Sequence, residues 1–215
     1  MQLFNPRGAP RTLLAVLAIC LAACTAERIK PLGANTLADA GSDDGYLLLS
    51  VTKNAGSNAW VVFRALSGES RALDAHGHSY WRRHNDFPDN AGRSGQLMFA
   101  RLAPGHYELV SWRLLAHSGV QRNRELGPPA LPPINFFVRK AEVVYLGNFY
   151  INANFDYAET LPRGLQPIRS AGIAISDESK RDLALFRKRY TGFAEQPVRI
   201  SVKTRPEWSL RIEGH

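Results

Sequence analysis

Cysteine is nearly absent from this sequence. The 215 residues hold two, Cys20 and Cys24, and both fall inside one apolar stretch, Leu13 to Cys24 (LLAVLAICLAAC). A small domain stapled by disulfides is thereby excluded, and the fold must be held by burial of its core. Long hydrophobic runs are lacking as well. Apart from that stretch, nothing approaches the roughly 20 apolar residues that a spanning helix needs. Enzyme signatures are also missing: there is no G-x-S-x-G elbow, no H-E-x-x-H helix and no glycine-rich phosphate loop. No catalytic residue and no cofactor is therefore assigned. A hydrolase assembled from residues distant in sequence is the catalytic alternative left open.

What is present begins at the N-terminus. Arg7 and Arg11 precede the apolar run, and no acidic residue occurs before Glu27. As a helix, Leu13 to Ala23 would span about 16 Å, half a bilayer core. A basic start, a short apolar run and an exit of small residues describe an export signal over residues 1–23 and argue against a permanent transmembrane helix.

The end of this segment, Leu21-Ala22-Ala23-Cys24, resembles the lipobox of bacterial lipoproteins. The resemblance implies that the Cys24 sulfur receives a diacylglycerol and that the chain is cut before it. Cys20 leaves with the signal, so the mature chain cannot form an internal disulfide. Two or three acyl chains give durable anchoring where one is marginal. Thr25 stands where many lipoproteins retained in the inner membrane carry Asp, which implies the outer membrane, with the domain on its periplasmic face.

The charge is read in that light. The whole chain has 27 Lys and Arg against 19 Asp and Glu; the signal removes two basic residues, leaving 25 − 19 = +6. An exported chain does not meet nucleic acid, so anionic phospholipid, lipopolysaccharide phosphate and peptidoglycan carboxylates are the counterparts to consider, beside a merely solubilising surface.

Residues 24–44 show no period and read as the lipidated Cys and a flexible tether, with a reach of about 25 Å for 20 residues. Residues 45–215 form the domain. YLLLSVTK and AWVVFRAL are β-prone runs separated by NAGSN, QLMFARL leads through Pro104-Gly105 into HYELVSWRLL, and INFFV and EVVYLGNFYINAN follow. Gly147-Asn148 is either a hairpin turn or, the slightly favoured reading, a bulge within one long strand. PIRSAGIAIS comes next. Val198, Ile200 and Val202 alternate with Arg199, Ser201 and Lys203 as in a half-buried strand, and Trp208, Leu210 and Ile212 suggest a terminal edge strand.

A single helix is expected over 176–190, with Ser176 as N-cap, acids in the first turn, Arg187, Lys188 and Arg189 in the last, and Leu183, Phe186 and Tyr190 on its packed face. Its basic end is explained by the helix dipole more simply than by a ligand. The Pro-rich Gly127 to Pro133 reads as an extended, exposed connection. Seven or eight strands and one helix make the fold class mainly β, a single β-sandwich.

Leu102, Pro104, Gly105, Tyr107 and Leu109 form L-x-P-G-x-Y-x-L, and FFVRKAEVVYLG follows some thirty residues later. This resembles uncharacterised Gram-negative bacterial lipoproteins and, more loosely, the transthyretin-like sandwich modules of carboxypeptidase regulatory domains. The resemblance implies that the Pro-Gly turn joins two strands, that Tyr107 enters the core and that the later run forms a neighbouring strand. Ala141 stands where the second pattern commonly has Gly.

One polar stretch invites a site: DAHGHSYWRRHNDFPDN, with Asp74, His76, His78, His84, Asp86 and Asp89. A His-x-His pair on a strand sets both imidazoles on one face, and His84 or an Asp would close a zinc or copper site, although Arg82 and Arg83 repel a cation. The simpler reading is a solvated loop. Tyr80, Trp81 and Phe87, with Arg82 and Arg83 among them, either fold back onto the core or form an anchor set for a protein partner. The expectation is thus a lipid-anchored, non-catalytic binding or assembly module for an envelope protein, with a metal-binding lipoprotein using His76, His78 and His84 as the alternative and an envelope hydrolase behind it.

Overall fold

The computed structural model describes residues 27–38, 42–54, 57–66, 72–78, 85–88, 94–118, 122–126, 134–155 and 168–211. Residues 1–23, expected as an export signal, Cys24, Thr25 and the Pro-rich Gly127 to Pro133 lie outside them.

The described residues are mainly β, with one α-helix among them, in the C-terminal half of the chain. Its elements are β1 (Glu27–Arg28), β2 (Gly45–Lys53), β3 (Ser57–Ala65), β4 (Ala72–His78), β5 (Ser94–Leu102), β6 (Gly105–Ser118), β7 (Arg122–Leu126), β8 (Ile134–Val138), β9 (Val143–Phe155), β10 (Ile168–Ser176), α1 (Ser179–Arg189), β11 (Val198–Ile200) and β12 (Arg205–Arg211). One sheet runs β1-β4-β3-β6-β7, with β8 also on β6; the other runs β12-β10-β9-β2-β5, with β11 also on β9. β1, β4 and β7 lie outside the strands expected from the sequence. At the centre of the second sheet, β2 and β9 are parallel, a pairing of segments far apart in the chain.

The two sheets face each other across one core. Leu47, Leu49 and Val51 of β2 meet Val61 and Phe63 of β3 and Leu109 and Trp112 of β6, all but sealed from water. The outer face of the second sheet has a core of its own. Tyr46, Leu48, Leu97, Phe99, Val143 and Tyr145 lie beneath Phe186 and Tyr190 of α1, the following Phe193, and Phe87. Phe99 is the hub, with the rings of Phe186, Tyr190 and Phe193 each 4.9 Å away and Tyr46 at 5.5 Å. Buried on both faces, β2 reads as a near-continuous apolar run, as a central strand should.

The Pro104-Gly105 turn carries the chain from β5 in one sheet to β6 in the other. Tyr107 is buried, stacks on Phe136 and donates its hydroxyl to the Ala103 carbonyl at 2.7 Å. Between β8 and β9, Ala141 closes the turn with φ 53°, a left-handed conformation that costs an L-residue energy and glycine little.

Gly147 lies within β9 and not in a hairpin. The β2 register slips there, so that Leu48 faces Tyr145 and Ser50 faces Asn148. Gly147 has φ 104°, and a Cβ on it would come within 2.8 Å of the Ser176 carbonyl oxygen. The bulge changes the phase of the strand: Val144 and Leu146 point into the inter-sheet core, and after it Phe149, Ile151 and Ala153 do. Asn148 is thereby turned to the opposite face, beneath the helix.

Several expectations are corrected. The helix starts at Ser179, after an uncapped Glu178, and Ser176 ends β10; the Ser179 amide is held by Asp177 Oδ1 at 2.9 Å. Helix geometry at Gly192 has already given way to a 3-10 turn over Thr191–Phe193. β11 has three residues, and the alternation over 198–202 does not hold, because Ile200 is half exposed while Arg199 turns inward to Glu142 and the Phe137 carbonyl. β12 pairs with β10 at the end of its sheet, as the terminal edge strand.

The segment expected as a tether is not free over 27–38. β1 pairs in parallel with β4, and Ile29 is buried between the sheets. Pro31 bridges Ala100, and the Leu32 amide donates to the Phe99 carbonyl at 2.7 Å. Leu32 and Ala38 pack on the aromatic core, and Thr36 and Leu37 lie so close to Gly192 that a Cβ there would meet the Thr36 carbonyl at 2.9 Å. The segment is a strap that closes one side of the sandwich and then crosses to its helical layer.

Candidate functional site

The polar stretch singled out in the sequence is split between a strand, a loop base and residues outside those described. Asp74, His76 and His78 belong to β4. There His78 is set opposite Ala59 and His76 opposite Trp60, successive residues of β3, so an extra residue at Gly77 interrupts the two-residue alternation on which a His-x-His pair relies. Tyr80, Trp81, Arg82, Arg83, His84 and Asp89 lie outside the described residues. Among those described, no three His, Cys, Asp or Glu side chains converge as a metal site.

The base of the loop is firmly held. Asn85 Oδ1 accepts the amides of Phe87 (3.1 Å) and Gly95 (2.9 Å), and the Asp86 amide donates to the Gly95 carbonyl at 2.9 Å. The Asp86 carboxylate is buried and receives Arg189 on both oxygens, at 2.7 and 2.5 Å, with the Leu97 amide added at 2.8 Å. These hydrogen bonds hold the Arg189 guanidinium above its ordinary pKa. Asp86 is thus committed to the fold and offers no oxygen to a metal. Arg189, expected at a solvated basic helix end, is instead the clamp between α1 and this loop.

Phe87 is corrected as a surface anchor. It is 6% exposed and belongs to the aromatic core, with the Arg181 guanidinium 4.1 Å above its ring.

Beneath α1 lies a polar cluster that the sequence reading did not assemble. Asp182 is fully buried on the helix face that also carries Phe186 and Tyr190. Its Oδ2 receives the Ser50 hydroxyl at 2.6 Å and the Tyr145 hydroxyl at 2.7 Å, and its Oδ1 the Arg181 Nε at 2.8 Å. Asn148 Oδ1 accepts Thr52 at 3.0 Å and Arg181 at 3.3 Å, while Arg181 also donates to Ser50 at 3.1 Å. Burial, and then the neighbouring carboxylate charge, push the Tyr145 hydroxyl far above its normal pKa, so it stays a donor. Two signals for this cluster were available in the sequence: the hydroxyls Ser50 and Thr52 recurring on one face of an apolar strand, and the 182, 186, 190 spacing along one helix face.

Chemically the cluster is a satisfied ion pair with its hydroxyl and amide neighbours, closed by the helix above it. Ser50, Thr52, Asn148 and Asp182 are 0–1% exposed, so within the described fold these groups hold α1 on the sheet and present no reactive atom at the surface. No described helix is long and apolar enough to cross a membrane. The chain matches no family model and no curated protein.

Proposed function

We propose that the chain is a lipid-anchored outer-membrane lipoprotein whose periplasmic β-sandwich binds or assembles with an envelope protein without catalysis. The observation that carries this reading is the joining of LAAC to the fold: the lipobox-like cysteine stands three residues before Glu27, where the strap begins. A signal that ends on an acylated cysteine and runs straight into a packed domain describes a module worn on a membrane. The cluster under α1, buried and hydrogen-bonded within itself, supports a structural role for its polar groups. The partner surface is the loop that carries Tyr80, Trp81, Arg82 and Arg83. The residues that follow it, Asn85, Asp86 and Phe87, are fixed to the fold, and aromatic and arginine side chains are the types that most often carry binding energy at interfaces.

The test has two parts. Mass spectrometry of the N-terminal peptide from membranes reads the acyl chains on Cys24, and Cys24→Ala should release the protein from the membrane fraction. A photo-crosslinker at Trp81 should then capture one envelope protein from the wild type, and much less of it from an Arg82→Glu, Arg83→Glu variant. Equal capture would remove the loop from the reading; an unmodified Cys24 would remove the anchor.

A further inference from the structure

The leash between anchor and domain is far shorter than the sequence suggests, and that fixes which surface meets the bilayer. A free segment of 20 residues would let the domain tumble, with a contour of about 70 Å. The strap removes most of it. Ile29 is 6% exposed within the inter-sheet core and Pro31 is bridged to Ala100, so the chain is fixed from Ile29 onward. Ile29 is the fifth residue after Cys24, a span of at most about 18 Å fully extended. A domain of about 170 residues has a radius of gyration of about 16 Å, so it is wider than this leash is long.

We infer that the side of the sandwich closed by the strap, formed by the β1–β4 edge of one sheet and the β5 edge of the other, lies directly on an anionic lipid surface. The inference rests on the reading of Cys24 as the anchor. Geometry supplies the orientation, and charge agrees with it. Lys30 and Arg101 are exposed on either side of the Pro31–Ala100 bridge. Among the described residues, Arg101 pairs only with Asp44, loosely at 3.6 Å, and both side chains are more than a third exposed. Two cations beside an acyl anchor suit lipid phosphates. The opposite flank, where β11 lies on the side of β9 away from β2 and β5 and Lys203 is exposed just after it, is held away from the membrane because the leash cannot reach around the domain.

The experiment attaches the mature chain, Cys24 to His215, through the Cys24 thiol to a maleimide lipid in vesicles of phosphatidylglycerol and phosphatidylethanolamine. A benzophenone side chain replaces Lys30, Arg101 or Lys203, and lipid adducts are read by mass. Positions 30 and 101 should give at least about fivefold more adduct than position 203. Inserting ten Gly and Ser residues between Ala26 and Glu27 leaves the core untouched and should bring positions 30 and 101 down to the level of 203. Equal yields at the three positions, or selectivity that survives the insertion, would overturn the inference. Acylation of Cys24 in cells is read separately, so failure of the anchor reading and failure of the orientation are distinguishable.

Discussion

Tyr145 in the middle of the sheet donates a hydrogen bond from its hydroxyl to Asp182 Oδ2 on the helix above, across 2.7 Å and out of contact with water. The helix is therefore fixed by a buried charge that needs every one of its donors. Asp182→Ala leaves Tyr145, Ser50 and Arg181 facing an unpaired cavity, and we expect a loss of about 3–5 kcal/mol in urea unfolding. Asp182→Asn retains an acceptor and should lose less. A change under 1 kcal/mol for Asp182→Ala would mean that the carboxylate does not hold the helix.

The Asp86–Arg189 pair should show strong coupling. Because one partner is buried and the contact is two-pronged, a double-mutant cycle with Asp86→Ala and Arg189→Ala is expected to return about 1.5–3 kcal/mol. Additive effects would reduce the contact to an ordinary surface pair.

Gly147→Ala places a methyl 2.8 Å from the Ser176 carbonyl oxygen and 3.0 Å from Val202 Cγ1 at a positive φ. The expected cost is about 2–3 kcal/mol, and the change should also loosen α1, since the bulge is what delivers Asn148 to the cluster beneath it. Hydrogen exchange of the helix amides reads the second effect; unchanged protection would separate the bulge from the cluster.

Ala141→Gly is predicted to stabilise. At φ 53° the alanine methyl carries a strain that glycine lacks, partly offset by glycine's extra freedom in the unfolded chain. A rise of about 0.5–1 kcal/mol is expected, and a fall in the thermal midpoint would refute it.

Lys53 is 1% exposed, and burial pushes its amine down to about 8. Below pH 8 both folded and unfolded chains carry the proton, and the folded state bears the full cost of a buried charge. Between pH 8 and 10.5 the unfolded chain binds more protons, so stability rises with pH, by about 3 kcal/mol at 1.36 kcal/mol per unit. Tyr107, Tyr145 and Tyr190 are raised, chiefly by burial, and oppose this above pH 10, where the unfolded chain loses protons that the folded one keeps. The Lys53 contribution is isolated as the difference between wild type and Lys53→Met from pH 7 to 10. A difference that stays flat with pH would show that the amine is solvated.

The sandwich was legible because its strands are strongly patterned. Leu47, Leu49 and Val51 alternate with Tyr46 and Leu48, and the burial of Tyr107 was implied by the resemblance carried by L-x-P-G-x-Y-x-L. The phase change at Gly147 was legible as a glycine within a long apolar run. The strap was not, because its contacts are few and irregular: one isoleucine in the core, one proline bridge, and backbone bonds that any sequence can make. β4 was hidden for a related reason, since ALDAHGH has the composition of a loop and pairs only where β3 offers an edge. The cluster under α1 was missed because its members come from β2, β9 and the helix, and no spacing along the chain joins Ser50 to Asp182. Phe87 reads as an exposed aromatic in a polar stretch until Arg181 and the aromatic core are seen around it.

The strap also sets an order of events. Pro31 cannot find its place until Ala100 exists in β5, and Thr36 cannot settle until Gly192 has arrived after the helix. The central β2–β9 pairing likewise joins segments about 100 residues apart, so the topology belongs to the slower-folding kind. In a chain delivered from its N-terminus, the strap is the first part of the described fold to arrive and among the last to be fixed. On the proposed reading of Cys24 as the anchor, the docking of the strap would be the step that draws the finished domain down onto the membrane.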